Sequence, residues 1–176
     1  MRTFTIPNII TVLRIIAVPL FIIFFKTDPG IATWIFVIAI LTDVLDGIVA
    51  RVRKSRSVLG SILDPLADKI LVDTAFLLLA FKDLIPYWMA VTVISKDFIV
   101  ILGWIIIFII TSNIKVKPSI YGKLTNFLQS SSVILLLVFG ANQGLTLYLD
   151  IYLYLTIGMT VISLLDYIVK GIKRLG

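Results

Sequence analysis

Long apolar runs, separated by short polar connections, dominate the pattern of this chain. Six runs are long enough for a helix to cross a bilayer, which takes roughly 20 residues. Their predicted bounds are Ile6–Phe25, Ile31–Ala50, Gly60–Phe81, Pro86–Thr111, Tyr121–Gly140 and Leu145–Val169. The pattern therefore predicts an all-α integral membrane protein, a bundle of six transmembrane helices formed by a single domain that covers residues 1–176.

Lys and Arg residues are concentrated in alternate connections. They follow the second run, the fourth run and the sixth run, at Arg51, Arg53, Lys54, Arg56, Lys115, Lys117, Lys170, Lys173 and Arg174. Because short loops rich in Lys and Arg stay on the cytoplasmic side, we expect these connections and both termini to face the cytoplasm, in the cell inner membrane. The net charge of +6 then indicates attraction to anionic lipid headgroups or phosphates, and not binding to nucleic acid.

Few residue types are available for chemistry. Hydrophobic residues make up 60% of the 176 residues, and the mean hydropathy of +1.11 does not match a soluble domain. Cys and His are absent, which excludes disulfides, thiolate zinc sites, Cys nucleophiles and His-based triads. The acidic residues are all Asp, so a bound metal would be a hard ion such as Mg²⁺ or Mn²⁺.

Four aspartates within the apolar runs share a regular spacing. Asp43 and Asp46 stand at i and i+3 of the second run, and Asp64 and Asp68 stand at i and i+4 of the third. Each pair therefore lies on one face of its predicted helix, and both pairs lie at the same depth from the connection between the helices. Four carboxylates at one level need counter-charge. Two divalent cations would supply it, and paired cations are used in phosphoryl transfer.

Small residues accompany these carboxylates. Gly47, Ala50 and Gly60 leave room on the same faces, and Arg51 is placed for a phosphate oxygen. Small residues at this spacing also pack helices together, so the glycines alone leave both interpretations open. Near the end of the sixth run, Asp166 and Lys170 have the i, i+4 spacing of a surface ion pair.

The stretch from Asp43 to Asp68 resembles the signature of the CDP-alcohol phosphatidyltransferases. It reads Asp43-Val-Leu-Asp46-Gly47-Ile-Val-Ala50-Arg51, then eight residues, then Gly60-Ser-Ile-Leu-Asp64-Pro-Leu-Ala-Asp68, with every fixed position present. Further similarity to this family lies in the first and fifth runs, at Asn8, Thr11, Arg14, Gly122, Lys123 and Gln129.

This resemblance implies a six-helix membrane bundle, expected to be a homodimer, that transfers the phosphatidyl group of CDP-diacylglycerol to an alcohol and releases CMP. It assigns the metal ligands to Asp43, Asp46, Asp64 and Asp68. It makes Asp68 also the catalytic base that deprotonates the acceptor hydroxyl. It assigns the CDP site to Gly47, Ala50, Arg51 and Gly60.

The acceptor alcohol is less sharply indicated. Asp64-Pro-Leu-Ala-Asp68-Lys69 resembles the phosphatidylglycerophosphate synthase and CMP-forming cardiolipin synthase branch. Glycerol 3-phosphate, the acceptor of the first group, carries a free phosphate that needs cations, and the candidates for it are Lys96, Lys117 and Lys123. The chain has fewer cations here than glycerophosphate-using relatives, because Gly122-Lys123 is followed by Leu-Thr-Asn without a second lysine. We predict glycerol 3-phosphate, with phosphatidylglycerol as the alternative.

A different class of protein would also place charges within apolar runs. Ion and proton transporters do so, but they typically show broken helices and an internal repeat. We see no repeat in this sequence, and the aspartates cluster near one membrane face. The pattern therefore favours the enzyme over the transporter.

Overall fold

The computed structural model describes residues 6–53, 58–111, 119–140 and 146–175. Within these ranges, only the backbone is described for residues 6–12, 43–53, 58–68, 104, 107–108, 110–111, 146 and 173–175. In these ranges the chain forms six α-helices. They are α1 (Ile6–Thr27), α2 (Pro29–Arg53), α3 (Val58–Phe81), α4 (Tyr87–Thr111), α5 (Ile120–Phe139) and α6 (Thr146–Leu175). The prediction of an all-helical chain with six helices is confirmed.

Helices α1, α2, α3 and α6 extend beyond their predicted runs, and the C-terminal extensions are longest in α2 and α6. α2 continues past Ala50 to Arg53, and α6 continues past Val169 to Leu175. Arg and Lys are good helix formers, so the helical backbone does not end where the apolar pattern ends. Arg51 and Arg53 therefore belong to a helix and not to the connection that follows it.

The chain forms two compact units, Met1–Leu78 and Leu79–Gly176. In the first unit α1 packs against α2, and three phenylalanines lie in their contact. The ring of Phe21 is 5.6 Å from that of Phe25 and 5.5 Å from that of Phe36, and all three side chains are buried. Buried aromatic side chains contribute a large apolar area, so this cluster holds the first two helices together.

A single residue, Asp28, connects α1 to α2. Its Oδ1 atom accepts hydrogen bonds from the backbone N–H groups of Gly30 (2.9 Å) and Ile31 (3.1 Å). Pro29, the first residue of α2, has no N–H to satisfy and a backbone angle that suits a helix start. Asp28 is therefore the N-cap of α2, which explains how the chain reverses direction in so short a turn.

The end of α3 is closed by a turn in the second unit. Asp83 N–H bonds to Ala80 O and Leu84 N–H bonds to Leu79 O, both at 3.0 Å, and Asp83 has a φ of 55°. This is the Schellman arrangement, in which a left-handed residue usually supplied by glycine satisfies the last carbonyls of a helix. Here an aspartate occupies the left-handed position.

In the second unit α6 packs against both α4 and α5, and the contact between α5 and α6 is polar. Side-chain hydrogen bonds join the two helices along their length: Thr125 Oγ1 to Met159 O (3.0 Å), Gln129 Nε2 to Thr160 Oγ1 (3.1 Å) and Ser132 Oγ to Thr156 Oγ1 (2.9 Å). The outward faces are apolar, with exposed residues such as Phe127, Leu155 and Leu165. Polar contacts inside and apolar side chains outside are typical of helices that pack together in lipid.

In the described part of the chain, two helical stretches are long and apolar enough to cross a membrane. They are Ile120–Phe139 in α5 and Leu147–Ile172 in α6, and Pro29–Thr42 in α2 is a shorter apolar stretch. That all six helices cross a membrane, with both termini on the cytoplasmic side, stays a prediction.

Candidate functional site

The four aspartates of the signature lie on two consecutive helices. α2 is helical through Asp43 and Asp46, and α3 is helical through Asp64 and Asp68. The i, i+3 and i, i+4 spacings on which the predicted metal site depends are therefore helical spacings. Their side chains lie outside those that the structure describes, so the convergence of the four carboxylates stays a prediction.

The predicted CDP site lies on the same two helices. Gly47, Ala50 and Arg51 are in α2, and Gly60 is in the first turn of α3. Arg51 lies two residues before Arg53, the last residue of α2, so its backbone is part of a helix and not of a loop. The side chains of these residues, too, lie outside the described set.

The donors that these helices carry suit a hard divalent cation. The chain has neither Glu nor His nor Cys, and Mg²⁺ and Mn²⁺ prefer the carboxylate oxygens that aspartate supplies. Among the described side chains, no group of three or more acidic residues could hold a metal ion. That the signature aspartates hold a metal ion stays a prediction.

Lys96, a predicted acceptor-binding residue, is buried in α4. Its Nζ atom lies 2.6 Å from Oδ1 of Asp97, and the side chains of both residues are only 2% exposed. The ammonium is thus already paired with a carboxylate. This contact reduces the net positive charge that Lys96 can offer to a substrate phosphate.

The other predicted acceptor-binding lysines differ in their setting. Lys123 is exposed in the first turn of α5. Lys117 lies in the segment 112–118, outside the described residues. Arg14, part of the similarity in the first run, is buried in α1 with 3% of its surface exposed.

A polar cluster that the sequence showed only in part lies where α5 begins. The predicted pair of Asp166 and Lys170 is confirmed, with Nζ 2.6 Å from Oδ2. Asp166 also accepts a short hydrogen bond from the hydroxyl of Ser119, 47 residues earlier in the chain. No local spacing indicates this second contact, because it depends on how α5 packs against α6.

Comparisons with known proteins agree with the signature. A family model described as CDP-alcohol phosphatidyltransferase matches residues 4–162. A CDP-diacylglycerol–glycerol-3-phosphate 3-phosphatidyltransferase from Bacillus subtilis is 32% identical over 190 residues, which cover 98% of this chain and 97% of the relative. A relative of the same name from Aquifex aeolicus is 32% identical over 180 residues, or 97% of each chain.

A shorter match has higher identity. The CMP-forming cardiolipin synthase of Homo sapiens is 43% identical over 99 residues, which cover 55% of this chain. The chain matches about a third of the length of this synthase and of its Rattus norvegicus counterpart, 33% in each case.

Proposed function

This chain belongs to the CDP-alcohol phosphatidyltransferase family, and on that premise we propose that it transfers the phosphatidyl group of CDP-diacylglycerol to an alcohol with release of CMP, in the synthesis of anionic phospholipids. It acts as an integral membrane enzyme of six spans, with the site facing the cytoplasm and two copies forming a homodimer. The apolar outward faces of α5 and α6 support the membrane location.

The observation that carries this proposal is the unbroken helical backbone through both halves of the signature. α2 carries Asp43 and Asp46 one turn apart, and α3 carries Asp64 and Asp68 one turn apart. Side chains one turn apart share a face of a helix. Two such helices, joined by a short connection, can bring four carboxylates to one diphosphate.

The four aspartates would hold two divalent cations, Mg²⁺ or Mn²⁺, which when bound neutralise charge on the diphosphate of CDP-diacylglycerol and on the departing CMP. Gly47, Ala50 and Gly60 lack bulky side chains and leave space for the cytidine nucleotide beside the helix backbone. Arg51 binds a phosphate oxygen through its guanidinium.

Asp68 serves as the base for the acceptor. Its carboxylate takes the proton of the acceptor hydroxyl, and the resulting oxygen forms a bond to the phosphorus of the phosphatidyl group. The bond between that phosphorus and the oxygen bridging it to CMP breaks, and CMP leaves with the electron pair. Proton transfer and attack thus need one carboxylate close to the acceptor.

Glycerol 3-phosphate is the proposed acceptor. Relatives that match nearly the whole chain are named for it. Lys96, Lys117 and Lys123 are assigned to its phosphate. Because Lys96 is paired with Asp97, the acceptor phosphate is bound mainly by Lys117 and by Lys123, which is exposed.

Phosphatidylglycerol is the second candidate. It is favoured by the 43% identity to the human CMP-forming cardiolipin synthase and by the buried pairing of Lys96. A phosphodiester carries one negative charge where a phosphomonoester carries up to two, so this acceptor requires fewer cations.

The test is an assay of CMP release by the purified protein in detergent micelles with CDP-diacylglycerol, Mg²⁺ and each acceptor offered separately. We expect turnover with glycerol 3-phosphate, loss of turnover on chelation, and recovery on adding Mg²⁺ or Mn²⁺. Asp68→Asn should lower kcat by about 10³-fold or more, as loss of a general base does, while Asp83→Asn, a matched change in the turn after α3, should not.

Conversion of phosphatidylglycerol alone would replace the first acceptor by the second. Full turnover by Asp68→Asn would remove that residue from the role of base. No release of CMP with either acceptor would refute the proposed activity and favour the alternative function of an ion or proton transporter.

A further inference from the structure

The start of α5 is attached to α6 by a cluster of three side chains. The hydroxyl of Ser119 donates to the carboxylate of Asp166, which also pairs with Lys170 Nζ at 2.6 Å. Lys170 Nζ lies 3.4 Å from Ser119 Oγ as well. Ser119 is buried, with 4% of its surface exposed, whereas the side chain of Lys170 is exposed.

Ser119 has an unusual role for its position. It is the N-cap residue of α5, with extended backbone angles (φ −69°, ψ 144°), yet its side chain makes no capping hydrogen bond. A serine there ordinarily accepts a hydrogen bond from the second or third N–H of its own helix. Here the hydroxyl bonds to α6 instead, so local helix capping gives way to a contact between helices.

A second contact lies one turn further along α5. The ring of Tyr167 packs on Gly122 so closely that an added Cβ would be 2.7 Å from the Tyr167 hydroxyl oxygen and 3.0 Å from Cε2. A residue larger than glycine would have to push the ring aside. Ser119 and Gly122 are three residues apart and share a face of α5. The two contacts therefore hold the first turn of α5 in position along α6 and limit its rotation about the helix axis.

Lys123 directly follows Gly122. Its backbone N–H donates to the carbonyl oxygen of Ser119 at 3.1 Å, which joins it to the anchored residue, and its side chain is exposed. We propose that Ser119, Asp166 and Tyr167 are positioning residues for the acceptor, because they hold the first turn of α5 and thereby aim Lys123. This inference rests on the proposed function, in which Lys123 binds the acceptor phosphate.

The chain offers a matched control at the other end of the same contact. Ser132 also lies in α5 and also bonds to α6, through Thr156 at 2.9 Å. It lies nine residues after Lys123, which is more than two helical turns further along α5. Ser119→Ala and Ser132→Ala each remove one hydroxyl from a hydrogen bond between the same two helices. A purely structural role predicts the same kinetic result for both variants.

The experiment compares these two variants with the unmodified protein, measuring KM for glycerol 3-phosphate, KM for CDP-diacylglycerol, kcat and the midpoint of thermal unfolding. We expect Ser119→Ala to raise KM for the acceptor about three- to tenfold, the size that loss of one such hydrogen bond implies. KM for CDP-diacylglycerol should stay unchanged. Ser132→Ala should lower the unfolding midpoint and leave both KM values unchanged.

Two further variants guard against misfolding of Ser119→Ala. Ser119→Thr keeps the hydroxyl and should recover most of the loss. Gly122→Ala displaces the Tyr167 ring without touching the polar cluster, and it should raise KM for the acceptor in the same way as Ser119→Ala.

The inference is overturned if Ser119→Ala and Gly122→Ala leave KM for the acceptor unchanged, or if Ser132→Ala raises it as much as they do. Both results require an active unmodified protein, so they are distinct from failure of the proposed function. An unmodified protein that releases no CMP with either acceptor refutes the function and this inference together.

Discussion

The buried pair of Lys96 and Asp97 offers the sharpest stability prediction. Consecutive residues of an α-helix point about 100° apart, so the Lys96 side chain has to bend toward its neighbour to reach it. The contact is 2.6 Å long and both side chains are 2% exposed. Removing one member of the pair should therefore be far more harmful than removing both.

The magnitude follows from the geometry. At 2.6 Å and an effective dielectric constant of about 20, the direct attraction is about 6 kcal/mol. Withdrawing two ions from water costs several kcal/mol each, so the net contribution of the pair is small. Lys96→Met or Asp97→Leu alone leaves a buried charge without this counter-charge and should cost about 3–5 kcal/mol in the free energy of unfolding.

The double variant Lys96→Met/Asp97→Leu should recover most of that loss, because it removes both desolvation costs and fills the space with apolar groups. The measurement is a double-mutant cycle, in which the free energy of unfolding of each variant is obtained by thermal or denaturant unfolding in detergent. The same cycle on Asp166 and Lys170 is a matched control. That pair is also 2.6 Å long, but Lys170 is 55% exposed, so its coupling should be much smaller.

Additive effects at Lys96 and Asp97, with no recovery in the double variant, would refute this reasoning. Equal couplings for the buried and the exposed pair would refute it too, since burial would then not matter. The cycle also informs on function. A double variant that regains stability but keeps a raised KM for the acceptor assigns Lys96 a binding role in addition to its structural one.

Two further predictions concern turns, and both are measured by thermal unfolding in detergent. Asp83→Gly should stabilise the protein by about 1 kcal/mol, since Asp83 has a φ of 55° and glycine adopts that conformation without strain; an unchanged or lower midpoint would contradict this. Asp28→Ala should cost about 1 kcal/mol through loss of the α2 cap, and Asp28→Asn should cost much less. Equal losses for Ala and Asn would show that the cap is not responsible.

The helices were predictable because their cause is local. Each apolar run has the length and composition of one helix, and Asp28-Pro29-Gly30 carries the residue types of a turn between the first two runs. The prediction was wrong only about some helix ends. α6 continues to Leu175 because Lys and Arg residues support a helix that has left the apolar region.

Contacts between helices were not predictable from spacing alone. The sequence indicated the pair of Asp166 and Lys170, which is one turn apart, but not the hydroxyl of Ser119 that joins them from 47 residues away. The sequence pointed to Gly122 only through the resemblance to the family, and no spacing indicated what this residue contacts. The physical reason, the closeness of the Tyr167 ring, depends on how α5 and α6 meet.

The candidate site divides in the same way. The spacing of the signature aspartates indicates a shared face on each helix, and the backbone of α2 and α3 agrees with that. The individual roles, above all that of Asp68 as a base, came from resemblance to a family, which the match over residues 4–162 confirms as the family of this chain. A carboxylate that binds metal and one that takes a proton have the same side chain, so residue type cannot separate them.

The choice of acceptor depends on how the chain distributes its positive charge. Lys96 is buried and forms an ion pair with Asp97, whereas Lys123 is exposed on a helix turn that two contacts hold in place. A long, exposed lysine is a weak specificity element when it is mobile, because ordering it costs side-chain entropy. Fixing the backbone beneath it reduces part of the disorder that binding must remove. A chain with few cations for a phosphate acceptor would therefore gain more from anchoring Lys123 than from adding another loosely held charge.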